Sequence, residues 1–177
     1  MFGVFRKPGR VFKNPSVLVN ADLYRVYANF EIMIRSKIIG TGAYVPDRVI
    51  TNVDIDAIVD TSDKWIRERT GIKERRIAHE GIPVSHLALG AAERALKDAM
   101  VDPLEIDMIV LGTVTPDMPM PSTACIVQQK LGAERAAAFD VSAACSGFLY
   151  ALTVGDQFIQ TGTYKRVLVI GADMFSR

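Results

Sequence analysis

Three short apolar runs constrain this chain more than any other feature. Met108-Ile-Val-Leu111, Ala136-Ala-Ala-Phe-Asp-Val141 and Val167-Leu-Val-Ile170 are each about a strand long, and none alternates apolar with polar residues. A strand without a polar face must be covered on both sides, as in parallel sheets. Segments of helical period lie between the runs. Ala88, Leu89, Ala92, Ala95, Leu96 and Ala99 recur at helical spacing before the first run, and residues 122–131 and 146–160 follow the first and second. This order of strand and helix predicts an α/β fold: a mostly parallel sheet flanked by helices.

The 177 residues are enough for one domain, and 49% apolar content is enough to bury a core. Twenty-one basic against twenty acidic side chains leave a net charge of +1, which excludes a nucleic-acid binder working by broad phosphate neutralisation. None of the apolar runs approaches membrane-spanning length. Two cysteines, Cys125 and Cys145, are too few for a disulfide scaffold and point to a reducing compartment, the cytoplasm.

Residues 1–33 differ from the rest. Phe2, Phe5, Arg6, Lys7, Phe12 and Lys13 form a basic, aromatic start broken by Gly3, Pro8, Gly9 and Pro15. They lack the apolar core of a secretory signal. We expect an atypical amino-terminal extension over 1–33, with Met33 as the natural beginning of a domain over 34–177. A transit segment, and with it an organellar location, is the alternative.

Lys37-Ile-Ile-Gly-Thr-Gly-Ala-Tyr-Val-Pro46 reads as a short strand, a glycine bend and an extended return, since Pro46 restricts Val45. Val53, Ile55 and Ile58 fall in a short helix. A second covers 62–69, with Asp63 at its start and Gly71 beyond its end. Ser85 is the expected cap of a long helix running to Met100, and Asp102-Pro103 stops it.

Several candidate sites fail on their own residues. Gly40-Thr-Gly42 follows a strand, but Val45 stands where a dinucleotide-binding turn needs its third glycine, so a bend forced by packing is the simpler reading. His79 and His86 belong to no cluster with metal-ligand spacing, and no metal is expected. Cys125 falls inside a helix and reads as a core thiol.

Cys145 is different, because it lies where an apolar strand gives way to small residues and then to a helix. Unpaired amides at a helix start favour a thiolate over a thiol, and Ala143, Ala144, Ser146 and Gly147 leave room for an acyl group. From the residues alone it reads either as a buried structural cysteine or as a nucleophile. Trp65, the single tryptophan, either caps the core or offers a flat face to an aromatic ligand beside an arginine. Met118 and Met120, in a proline-rich loop, suit a pocket lining, an interface plug or packing within the monomer.

Four blocks in this order carry a resemblance: Lys37 to Pro46 as quoted, Thr61-Ser-Asp-Lys-Trp-Ile-Arg-Glu-Arg-Thr-Gly-Ile72, Pro121-Ser-Thr-Ala-Cys125 and Phe139-Asp-Val-Ser-Ala-Ala-Cys-Ser-Gly-Phe148. Over 34–177 the chain resembles the amino-terminal half of a beta-ketoacyl-acyl carrier protein synthase III, a thiolase-like condensing enzyme. The resemblance implies half of a five-layer αβαβα fold. It implies that Cys145 takes an acyl group from acyl-coenzyme A as a thioester, which the carbanion from decarboxylated malonyl-acyl carrier protein then attacks, initiating fatty acid synthesis. It places Trp65 against the coenzyme adenine with Thr61 beside it, Arg69 at the channel mouth, and Met120 across a homodimer interface. Coenzyme A is then a substrate, and no permanently bound cofactor is implied.

The family completes its site with a histidine and an asparagine from its other half, which these residues do not supply. His79 and His86 belong to different motifs. The isolated chain is therefore expected to be a truncated, inactive half. The alternatives are a related coenzyme A-dependent, polyketide-type condensing enzyme and a non-catalytic orphan half-domain.

Overall fold

Strand β5 (Met108–Gly112) is buried at all five positions in the computed structural model, which describes residues 22–25 and 32–176. Strands β6 (Ala137–Val141) and β7 (Val167–Gly171) pair with it in parallel, one on each side. Successive side chains point to opposite faces. Ile109 and Leu111, with Leu168 and Ile170 of β7, meet Ala88, Ala92 and Leu96 of α3 (Val84–Ala99) and Ala124 and Val127 of α4 (Thr123–Leu131). Met108, Val110 and Val167 meet Ala151 and Ile159 of α5 (Gly147–Gln160). The expected parallel sheet with helices on both faces is the architecture observed.

Two antiparallel ribbons accompany this three-layer core. One pairs β1 (Asp22–Arg25) with β2 (Ile32–Arg35), and Ile34 packs against the α5 side of the core. The other pairs β3 (Arg48–Thr51) with β4 (Glu74–Ile77) and brackets α1 (Asn52–Asp56) and α2 (Asp63–Thr70). The sequence reading missed the second ribbon. Its strands, Arg-Val-Ile-Thr and Glu-Arg-Arg-Ile, are largely exposed and bear no apolar run, so only their pairing defines them. The expectation of an extension over 1–33 falls mostly outside the described residues.

The expected strand at Lys37 is shifted. The ladder lies at Ile32–Arg35, and 39–46 runs along α3 without strand pairing. Gly40 and Gly42 serve that contact: a Cβ on Gly42 would lie 2.2 Å from the Ala91 carbonyl oxygen, and one on Gly40 2.6 Å from that of Ala95. These glycines allow two backbones to touch and do not cradle phosphate.

Ser85 does not cap α3. It lies inside the first turn, fully buried, and Pro83 at the cap position makes no side-chain bond. The Ser85 amide donates instead to Asp117 Oδ1 at 2.9 Å, so a carboxylate from the loop after β5 closes the helix start. At α4, Ser122 Oγ accepts from the Cys125 amide at 3.3 Å, and the two oxygens of Asp140 in β6 accept from Thr123 and Ala124 at 2.8 Å each. Acceptors at a helix start satisfy amides that have no partner inside the helix.

Gly42→Ala should cost about 3 kcal/mol, because the methyl group meets helix backbone that cannot rotate away. Gly132→Ala should cost about 1 kcal/mol, since its φ of 77° is strained for alanine but nothing lies within 4 Å. Urea unfolding of both variants checks this ranking, and a milder effect at Gly42 would refute the packing account.

Candidate active site

Cys145 is presented by a turn between β6 and α5. The chain leaves β6 at Val141, passes through a 3₁₀ turn at Ala144–Ser146, and enters α5 at Gly147. Ala144 holds a φ of 44°, a left-handed conformation that costs an L-residue roughly 1–2 kcal/mol. The thiol it presents is exposed, so Cys145 is not a buried structural cysteine. The helix-start amides differ from expectation. Ser146 N donates to the Ala143 carbonyl at 3.0 Å, and Gly147 N to that of Ala144, so the turn itself uses the two amides that follow the thiol.

Glycines let this turn sit low on the sheet. Gly112 and Gly171 end β5 and β7 in register. A Cβ on Gly112 would lie 2.5 Å from the Gly147 carbonyl carbon, and one on Gly171 2.9 Å from Phe148 Cβ. A cavity of about 460 Å³ adjoins the thiol, bounded by Ala144, Cys145 and Phe148, by β7, and by Gly40–Gly42 against α3. Its wall is largely apolar, which suits an acyl chain better than a charged group.

The other candidate residues lie elsewhere. Ser62 Oγ caps α2 by accepting from the Trp65 amide at 3.2 Å, and Gly71, at a φ of 73°, ends it. The helix buries Ile66, while Trp65 is 56% exposed, so the tryptophan does not cap the core. The Arg69 guanidinium lies 6.0 Å from the centroid of the Trp65 ring. Thr61, just ahead of the cap, is half-buried. Met120 is 85% exposed. The structure thus brings Trp65 and Arg69 together, but Thr61, Trp65, Arg69 and Met120 do not line the Cys145 cavity.

A polar network supports α2 from beneath. Buried Asn52 donates from Nδ2 to Asp63 Oδ1 and to the Ile72 carbonyl, both at 2.8 Å, and its Oδ1 accepts from Arg75. Asp63 also accepts from Arg67 Nε at 2.9 Å. The Asn52 amide, then Arg67, hold the Asp63 carboxyl below its ordinary value of 3.8.

Cys125 is half-buried and not sealed in the core; its sulfur receives the Ser122 hydroxyl at 3.2 Å. His79 lies 3.3 Å from an Asp47 carboxylate oxygen, and the His86 ring meets Tyr44 edge-on with centroids 5.6 Å apart. Among the described residues, no three histidine, cysteine or acidic side chains are grouped to hold a metal, and no helix is long and apolar enough to cross a membrane. The sequence reading missed Asp173, which also borders the cavity; its only local signal is a Gly-Ala-Asp step after the β7 run.

A parallel sheet covered on both faces, with a cysteine on a strand-turn-helix corner, is the architecture of the amino-terminal half of the thiolase-like fold. Residues 139–177 match the family model for 3-oxoacyl-[acyl-carrier-protein] synthase III. The chain is 56% identical over 144 residues to beta-ketoacyl-[acyl-carrier-protein] synthase III of Caldanaerobacter subterraneus subsp. tengcongensis, covering 81% of this chain and 44% of that one. It is 55% identical over 140 residues to the Bacillus pumilus protein of the same name, covering 79% and 45%. The crystal structure of the Aquifex aeolicus synthase III superposes with a TM-score of 0.77 at 56% identity, over 79% of this chain and 45% of that one. The priming beta-ketosynthase of the R1128 polyketide pathway gives 0.77 at 34% identity, over 84% and 45%. The chain belongs to the beta-ketoacyl-[acyl-carrier-protein] synthase III family and spans a little under half the length of these relatives.

Asp63 generates a pH prediction. Because its folded-state value is depressed, its contribution to stability is present above 3.8 and is lost as pH falls through the lower folded value. In thermal melts across that acidic window, Asp63→Asn should lose stability at neutral pH and flatten the acid decline. An unchanged pH slope in the variant would refute the linkage.

Proposed function

We propose that the complete protein to which this sequence belongs is a beta-ketoacyl-acyl carrier protein synthase III, and that Cys145 is its acyl-accepting nucleophile. The exposed thiol on its strained corner, next to an apolar cavity, carries this reading. The Cys145 thiolate attacks the thioester carbonyl carbon of an acyl-coenzyme A primer such as acetyl-coenzyme A. A new sulfur–carbon bond forms, and coenzyme A leaves as a thiolate that takes up a proton. Malonyl-acyl carrier protein then releases carbon dioxide, its carbanion attacks the enzyme thioester, and the Cys145 thiolate departs. Division of the transfer through a thioester replaces one difficult step with two easier ones.

Trp65 and Arg69 fit a coenzyme site as a flat ring face beside a fixed positive charge, with Thr61 as a neighbouring hydrogen-bonding group. Met120, projecting from its loop, fits a residue that reaches a second copy in a homodimer. The cytoplasm is the proposed compartment, in keeping with two free cysteines. A polyketide-type priming condensation is the second reading, favoured by the 34% identity to a priming beta-ketosynthase of the same fold.

Incubation of the complete protein with acetyl-coenzyme A followed by intact-mass analysis tests the first step. Wild type should gain one acetyl group, and Cys145→Ser should label at least about a hundredfold more slowly. Equal labelling of both proteins, or none in folded wild type, would count against Cys145.

A further inference from the structure

Asp173 lies just past the end of β7, between Ala172 and Met174, and lines both the Cys145 cavity and a second cavity. Its Oδ1 accepts from the Val114 amide at 2.8 Å, from Thr113 Oγ1 at 3.2 Å and from Thr115 Oγ1 at 3.4 Å. Both hydroxyls also accept: Thr113 Oγ1 from the Thr115 amide at 3.1 Å, and Thr115 Oγ1 from the Met174 amide at 2.8 Å. Each threonine therefore donates to the carboxylate while receiving a backbone amide, and the network closes on itself. It ties the end of β5 to the end of β7 directly beside Gly112, the residue against which the Cys145 turn rests.

The same clasp fixes the start of the loop over 113–121. Further along, Asp117 secures it by accepting the Ser85 amide and by donating its own amide to Thr123 Oγ1 at 3.1 Å. A charged acceptor holding three donors forms stronger bonds than a neutral one would. Its loss leaves a buried hydroxyl, Thr113, without its acceptor.

We propose that Asp173 is a positioning residue that fixes the cavity wall beside Cys145 and thereby limits the size of the acyl group the thiol can carry. This rests on the acyl-transfer reading of Cys145. Asp173 touches no reacting atom; it acts through the spacing of the β5 and β7 ends, where Gly112, Gly171 and Ala172 line the cavity.

The test compares, in the complete protein, wild type, Asp173→Ala, Thr115→Val and Thr115→Ser, each checked for folding by circular dichroism. Each is incubated separately with acetyl-coenzyme A and hexanoyl-coenzyme A, and label on Cys145 is measured by mass. Asp173→Ala and Thr115→Val should raise the hexanoyl-to-acetyl ratio about fivefold, and Thr115→Ser, which keeps both bonds, should match wild type. Hydrogen exchange over 113–121 should quicken about tenfold in the first two variants only. A ratio within about twofold of wild type in folded Asp173→Ala or Thr115→Val would overturn the proposal. If Asp173→Ala does not fold, the Thr115 pair decides alone. If wild type accepts neither acyl group, the acyl-transfer reading falls. Exchange then decides the clasp separately: unchanged protection over 113–121 overturns it, and quickened exchange sustains the tie between Asp173 and residues 113–115.

Discussion

Strand β5 is sealed by helices on both sides, so each of its residues has to find an apolar neighbour and each of its backbone groups a ladder partner. Met108, Ile109, Val110 and Leu111 are all buried. Full burial of such side chains contributes about 1.5–3 kcal/mol each. Four of them together are comparable to the whole stability of a typical domain, about 5–15 kcal/mol. The positions of α3, α4 and α5 follow from that requirement. So does the site, because the turn bearing Cys145 is the start of the helix that covers one face of this strand.

Above this core, single carboxylates join pieces that are far apart in the chain. Asp107 accepts the amides of Lys165 and Arg166, Asp117 that of Ser85, Asp140 those of Thr123 and Ala124, and Asp173 that of Val114. Each carboxylate satisfies amides at a helix start or a strand end, where the backbone has no ladder partner of its own. Three of the four lie toward the carboxyl ends of the parallel strands, the end at which Cys145 emerges. Rigidity there comes from these closures together with the glycine contacts beneath the turn.

What could be read in advance had a local cause. An apolar run of strand length requires cover on both faces, and the small residues around Cys145 permit a tight turn. The helices expected over 62–69 and 122–131 form at Asp63–Thr70 and Thr123–Leu131. What could not be read was set by residues distant in the chain. The acceptor for Ser85 is a carboxylate 32 positions away, β3 exists only through its pairing with β4, and Asp173 meets threonines 58 to 60 positions earlier. The amides expected to be free beside the thiol are used by a 3₁₀ turn, which no periodicity marks.

The sequence by itself determined the α/β layering, the family and the identity of the candidate nucleophile, because each rests on runs and blocks of neighbouring residues. Tertiary structure alone decided that Cys145 is exposed and borders an apolar cavity, that Trp65 and Arg69 stand together away from it, and that Asp173 ties the strand ends. Those facts depend on how closely separate elements approach. Gly42 against Ala91, Gly112 against Gly147 and Gly171 against Phe148 settle that approach through contacts formed only after the chain has folded.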